Sequence, residues 1–92
     1  MSTVVFLHGL ESGPNGLKIQ AMRSVAEALG WRTMAPDFRG MPDPEQRTDY
    51  LLQQLPAGET IRLVGSSLGG YVAARAVELA SSNTRMEGIF LL

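Results

Sequence analysis

Ile61-Arg62-Leu63-Val64-Gly65-Ser66-Ser67-Leu68-Gly69-Gly70-Tyr71 changes character twice in a short span. An apolar, β-prone run gives way to a glycine-bracketed turn, and the turn opens a stretch rich in small residues with helical spacing. One G-x-S-x-G match lies within it, Gly65-x-Ser67-x-Gly69; centring the motif on Ser66 would need glycines where Val64 and Leu68 stand. The pattern is that of a nucleophile elbow, in which a serine is lifted off the end of a strand on a turn too tight for side chains two residues before or after it. Such a turn strains the serine backbone. It also aims the free N–H groups at the start of the following helix at the serine. Ser67 is therefore the candidate nucleophile, and the N–H of Leu68 a candidate oxyanion donor. In a chain with 10 glycines the motif alone is unremarkable, and the flanking strand and helix give it weight. The plainer reading is a glycine-rich turn in which Ser67 only caps the helix.

Working outward, Thr3 to Leu7 is a continuous apolar run of the kind buried on both faces of a parallel sheet. It ends at His8-Gly9, and the Gly-, Pro- and Asn-rich stretch from Leu10 to Gly16 is a loop. A helix follows from about Leu17 to Leu29, with Ile19, Met22, Val25, Ala26 and Leu29 on one face, the Ile19/Met22/Leu29 stripe read as core, and Gly30 as its stop. Trp31 to Pro36 reads as a second strand, followed by Asp37-Phe38-Arg39-Gly40. The Asp37/Arg39 pair either holds this turn or belongs to a site. Asp43-Pro44-Glu45-Gln46 is a helix start, with Asp43 as cap, Pro44 at the first helical position and Gln46 able to reach back. Thr48, Leu51, Leu52 and Leu55 form the buried stripe of that helix, and Pro56-Ala57-Gly58 ends it. The third strand, Thr60 to Val64, enters the elbow. A helix from about Leu68 to Ala80 leaves it, and Met86 to Leu92 is a fourth strand. Strand and helix alternate as βαβαβαβ, which predicts an α/β three-layer sandwich around a four-stranded parallel sheet with right-handed crossovers.

The totals agree with one domain. Ninety-two residues bury about 60–65% of the unfolded surface, a modest core. A net charge of −1 with no basic cluster argues against a nucleic-acid partner. The absence of cysteine excludes disulfides, thiolate metal sites and a cysteine nucleophile. The first residues lack a signal-peptide pattern, and no apolar run approaches the roughly 20 residues of a membrane span, so a cytoplasmic location is expected. No cofactor or metal is expected, and oligomeric state is not readable. Gly65 to Gly70 is neither G-x-G-x-x-G nor a P-loop, so nucleotide binding fits badly.

Three stretches carry a family resemblance. Phe6-Leu7-His8-Gly9-Leu10-Glu11-Ser12-Gly13-Pro14 resembles the first strand and oxyanion loop of α/β-hydrolases. Pro36-Asp37-Phe38-Arg39-Gly40 resembles their P-D-x-R-G turn, and Gly65 to Tyr71 resembles their elbow. More narrowly, the chain is similar to small bacterial carboxylesterases of the YqiA type. The resemblance implies a truncated α/β-hydrolase fold with residues 1–92 as its N-terminal part. It implies a sheet in which the strands leading to His8 and Ser67 are central, with the Trp31 and Met86 strands outside them. It also implies Ser67 as nucleophile, the N–H groups of Leu10 and Leu68 as the oxyanion hole, and His8, Gly9, Gly65 and Gly69 as supporting positions. A small-molecule ester or thioester would be the substrate.

The chain departs from the family in one respect. In this fold the triad acid and histidine follow the serine. Here the residues after Ser67 include Glu78 and Glu87 but no Asp and no His, and the only histidine is His8. The resemblance gives His8 a local structural role, with general base the lesser alternative. The chain is therefore expected to be a fragment, nearly inactive alone. The rival is a non-catalytic module that binds an acyl group or anion at the same amides.

Overall fold

In a computed structural model the protein is described over residues 2–80 and 85–91. The elements alternate as predicted: β1 (Ser2–Leu7), α1 (Leu17–Ala28), β2 (Arg32–Met34), α2 (Pro44–Gln54), β3 (Thr60–Gly65), α3 (Leu68–Leu79) and β4 (Arg85–Leu91). All four strands pair in parallel in the order β2-β1-β3-β4, so β1 and β3 are central. Val5 pairs with Met34 on one side and Leu63 on the other, and Leu7 pairs with Gly65. The carboxyl ends of β1 and β3 therefore stand side by side, which brings His8 and Gly9 next to the Ser67 turn.

Successive side chains alternate between the faces of the sheet. On one face Val5, Leu7, Ile61 and Leu63 are buried with Phe38, Leu51, Val72, Ala73 and Ala76, beneath α2 and α3. Small residues on α3 let its backbone lie close to the sheet. Asp43 caps α2, its carboxylate accepting the Glu45 N–H at 3.0 Å, with Pro44 at the first position. The exposed Glu45 carboxylate binds Arg75 of α3 at 3.1 and 3.2 Å, tying the two helices together.

The second strand is shorter than predicted. It stops at Met34, and the prolyl residue at 36 has no N–H to donate to a ladder. Trp31 lies outside it, with the Arg62 guanidinium 4.0 Å above its ring. A second correction concerns α1. Ile19 is buried as predicted, but Val25 is 62% and Leu29 71% exposed. Helical spacing tells which residues share a face; it does not tell what covers that face. Here Met22, Val25, Ala26 and Leu29 border an open apolar trough of about 560 Å³ over Val4, Phe6 and Val64 of the sheet. Val25→Glu and Leu29→Lys are accordingly expected to leave stability within about 0.5 kcal/mol of wild type and to raise solubility. A loss above about 1.5 kcal/mol in urea unfolding would show instead that these positions are covered.

Candidate functional site

The elbow forms between β3 and α3. Ser67 has φ 57° and ψ −122°, and it is the sole non-glycine with positive φ among the described residues. Its side chain is exposed and makes no capping bond to α3, which removes the plainer reading of Ser67 as a helix cap. The flanking glycines are buried for a steric reason. A Cβ on Gly65 would overlap the Gly69 carbonyl and lie 2.7 Å from the Gly70 nitrogen. A Cβ on Gly69 would overlap the Leu7 carbonyl oxygen. Only backbone approaches so closely here, so the turn locks onto the end of β1. The Ser66 N–H donates to the Leu7 carbonyl at 3.2 Å and fixes the same junction.

The loop after β1 arrives from the other side. A Cβ on Gly9 would lie 3.4 Å from both the Ser67 Cβ and the Ser66 carbonyl oxygen. Gly9, Leu10, Glu11, Ser12, Ser66 and Ser67 line one open cleft of about 460 Å³, with Leu10 55% exposed. Leu68 does not line the cleft; its N–H belongs to the first turn of α3, directly after the serine. Among the described residues neither the Leu10 nor the Leu68 N–H meets an acceptor.

His8 is 1% exposed and both ring nitrogens are used. Nδ1 donates to the Gly9 carbonyl at 2.8 Å, since a carbonyl can only accept. Nε2 accepts the Phe38 N–H at 2.8 Å, and the Phe38 ring packs 5.4 Å from the imidazole. The histidine is thereby a brace between the β1 loop and the 37–40 turn, with no nitrogen left to serve Ser67. The Gly9 N–H in turn donates to Ser12 Oγ at 3.0 Å.

Asp37 and Arg39 form the turn itself. The carboxylate accepts the Arg39 N–H at 3.0 Å and its guanidinium at 2.9 and 2.7 Å. The Arg39 side chain also runs 3.4 Å from where a Cβ on Gly13 would stand, so it lies against the β1 loop. The side-chain and backbone hydrogen bonds from Arg39 hold the Asp37 carboxyl down at about 2, below its usual 3.8. A depressed carboxyl contributes stability above its unfolded pKa and loses it as pH falls through the folded value. The stability gap between wild type and Asp37→Asn in urea is therefore expected to be constant above about pH 5 and to shrink between pH 4 and 2. A gap independent of pH would mean that the pair contributes nothing.

Sequence reasoning missed Arg47. It is 1% exposed, the largest fully buried side chain, and its guanidinium lies beneath the candidate loop. Its place one turn before Leu51, beside Thr48 on the buried stripe of α2, was the signal available. Among the described residues no cluster of three or more His, Cys, Asp or Glu could hold a metal ion, and no helix is long and apolar enough to cross a membrane.

The comparisons with known proteins bear on the fold and the family. The crystal structure of a candidate hydrolase of the alpha/beta superfamily from Xanthomonas campestris pv. campestris superposes with a TM-score of 0.76 at 32% sequence identity. The match takes in 97% of this chain and 56% of that protein, so the chain spans little more than half its length. The fold is thus α/β-hydrolase-like. None of the curated proteins matches the chain. The family model of an uncharacterised protein family, UPF0227, matches residues 3–83, and the chain belongs to that family.

Proposed function

We propose that this chain is the N-terminal part of a serine hydrolase domain that cleaves carboxylic esters or thioesters of small molecules. The observation that carries the reading is Ser67, an exposed hydroxyl on a backbone at φ 57° between β3 and α3. Strain of this kind costs about 1–3 kcal/mol and persists where the surroundings enforce it, most often at functional sites. The Xanthomonas relative supports hydrolysis at the level of superfamily. The three quoted motifs favour a carboxylesterase of the YqiA type.

In the proposed reaction Ser67 Oγ forms a bond to the acyl carbon while its proton passes to a base. The carbonyl oxygen becomes an oxyanion facing the N–H groups of Leu10 and Leu68. Collapse expels the alcohol or thiol, which takes up the proton, and water then releases the acid from the acyl-enzyme. Each oxyanion donor is worth about 10²–10³ in rate. With His8 committed at both nitrogens, this sequence has no histidine free to act as the base, so the 92-residue chain alone turns over slowly.

The test uses the serine without its base. At alkaline pH a fluorophosphonate is expected to modify Ser67 at least tenfold faster than any other serine, read by peptide mass spectrometry and lost in Ser67→Ala. Equal, scattered labelling of the serines counts against the elbow as a site. The commitment of both His8 nitrogens favours a second reading, an acyl- or anion-binding module without turnover. Burst release of alcohol from an activated ester, absent in Ser67→Ala, decides for the enzyme.

A further inference from the structure

Arg47 poses an energetic problem. Its cation is buried, and burial pushes the guanidinium pKa down, yet among the described residues no carboxylate lies within ion-pair distance of it. Its hydrogen bonds all go to uncharged carbonyl oxygens. Nε donates to Met41 at 2.6 Å, and Nη1 donates to His8 at 3.0 Å and Gly9 at 3.3 Å. The Phe38 ring lies 5.3 Å from the guanidinium carbon. Taking a charge out of water costs several kcal/mol, and a methionine or leucine on this stripe would avoid that cost. Stability of α2 alone does not account for an arginine here.

What the arginine does is fix two peptide planes. In a trans peptide the carbonyl and the following N–H point in opposite directions. The Gly9 carbonyl is held from the protein interior by two donors, Arg47 Nη1 and His8 Nδ1. The N–H of Leu10 must then face away from the interior, into the cleft that Ser67 lines. The His8 carbonyl is held by the same Nη1, which turns the Gly9 N–H the other way, toward Ser12 Oγ. Of the two amides, Gly9 is therefore occupied and Leu10 is presented to the cleft. Glycine at position 9 offers no side-chain barrier to rotation of the 9–10 peptide. Unpinned, that peptide could turn its carbonyl toward the cleft and repel a developing oxyanion.

We propose that Arg47 is a positioning residue for the oxyanion site, binding the His8 and Gly9 carbonyls from below so that the Leu10 N–H faces Ser67. The inference rests on Leu10 acting as a donor in the proposed reaction, but its geometric part stands on its own and is tested separately.

The test follows the backbone amides of the 92-residue chain by NMR in wild type, Arg47→Met and Arg47→Lys. Both variants preserve most of the side-chain volume, and Arg47→Lys keeps a charge but replaces the planar fork with a single donor nitrogen, so it serves if Arg47→Met fails to fold. In the folded variants we expect exchange broadening or doubled signals at Gly9 and Leu10, with Leu68 unchanged. Wild-type shifts and line widths at Gly9 and Leu10 in a folded variant would overturn the proposal. The chemical consequence is read by phosphonylation of Ser67. Loss of one donor predicts a fall of about 10²-fold in the inactivation rate per folded molecule, with the binding constant of the probe unchanged. A purely structural arginine would lower the folded fraction and leave that rate intact. If wild type shows no selective labelling, the hydrolase reading fails, while the amide signals still decide the role of Arg47.

Discussion

Gly69→Ala is expected to cost about 3 kcal/mol or more, a large part of the stability of a domain this size. The added methyl would overlap the Leu7 carbonyl oxygen and lie 2.7 Å from its carbon and 3.1 Å from the His8 oxygen. These are backbone atoms at the end of a central strand, and no rotamer change moves them. Gly65→Ala meets the same obstacle from inside the turn, against the Gly69 carbonyl and the Gly70 nitrogen at 2.7 Å. Because both methyls strain one junction, the double variant should lose less than the sum of the singles. Gly16→Ala is the control, since its Cβ would meet only the Gly13 carbonyl oxygen at 3.7 Å; it should stay within about 1 kcal/mol. Urea midpoints decide the matter. A Gly69→Ala chain within 1 kcal/mol of wild type would mean that α3 does not lock against β1 at this point.

The same steric logic made the elbow legible from sequence. Glycines at 65 and 69 around a serine encode a close approach that only a strand-turn-helix junction needs, and the apolar run and small residues on either side complete it. Asp43-Pro44 likewise declared the start of α2, because capping depends only on neighbours. Strand order came from the family resemblance and not from the residues, for four apolar runs can be ordered in several ways. What remained hidden depends on partners far along the chain. His8 could be read as structural only by analogy; its bond to the Phe38 N–H spans the loop, α1 and β2. Arg47 was hidden because a charged residue on a helix is ordinarily solvated. Its burial follows from carbonyls of the β1 loop that stand above α2 only once the sheet has formed. The exposure of Val25 and Leu29 was hidden for the opposite reason, since an apolar stripe carries no mark of how much of it is covered.

Ser67→Gly is expected to stabilise the protein while abolishing selective phosphonylation. The observed φ 57° and ψ −122° mirror the ordinary extended region, so glycine adopts them freely whereas a Cβ does not. Relief of about 1–3 kcal/mol of strain exceeds the roughly 0.5–1 kcal/mol of extra chain entropy that glycine loses on folding. The net gain is about 1 kcal/mol, or about 4–8 °C in Tm for a domain of this length. Ser67→Ala keeps the Cβ and with it the strain. Since the hydroxyl is exposed and makes no cap bond, its removal should leave Tm near wild type. The difference between the two variants isolates the backbone contribution from the loss of the hydroxyl. If Ser67→Gly melts no higher than Ser67→Ala, the turn stores no strain, and the exposed serine loses the feature that separates a poised nucleophile from a surface hydroxyl. If it melts higher, the chain holds Ser67 in place against its own conformational preference, which the folding of an ordinary turn would not require.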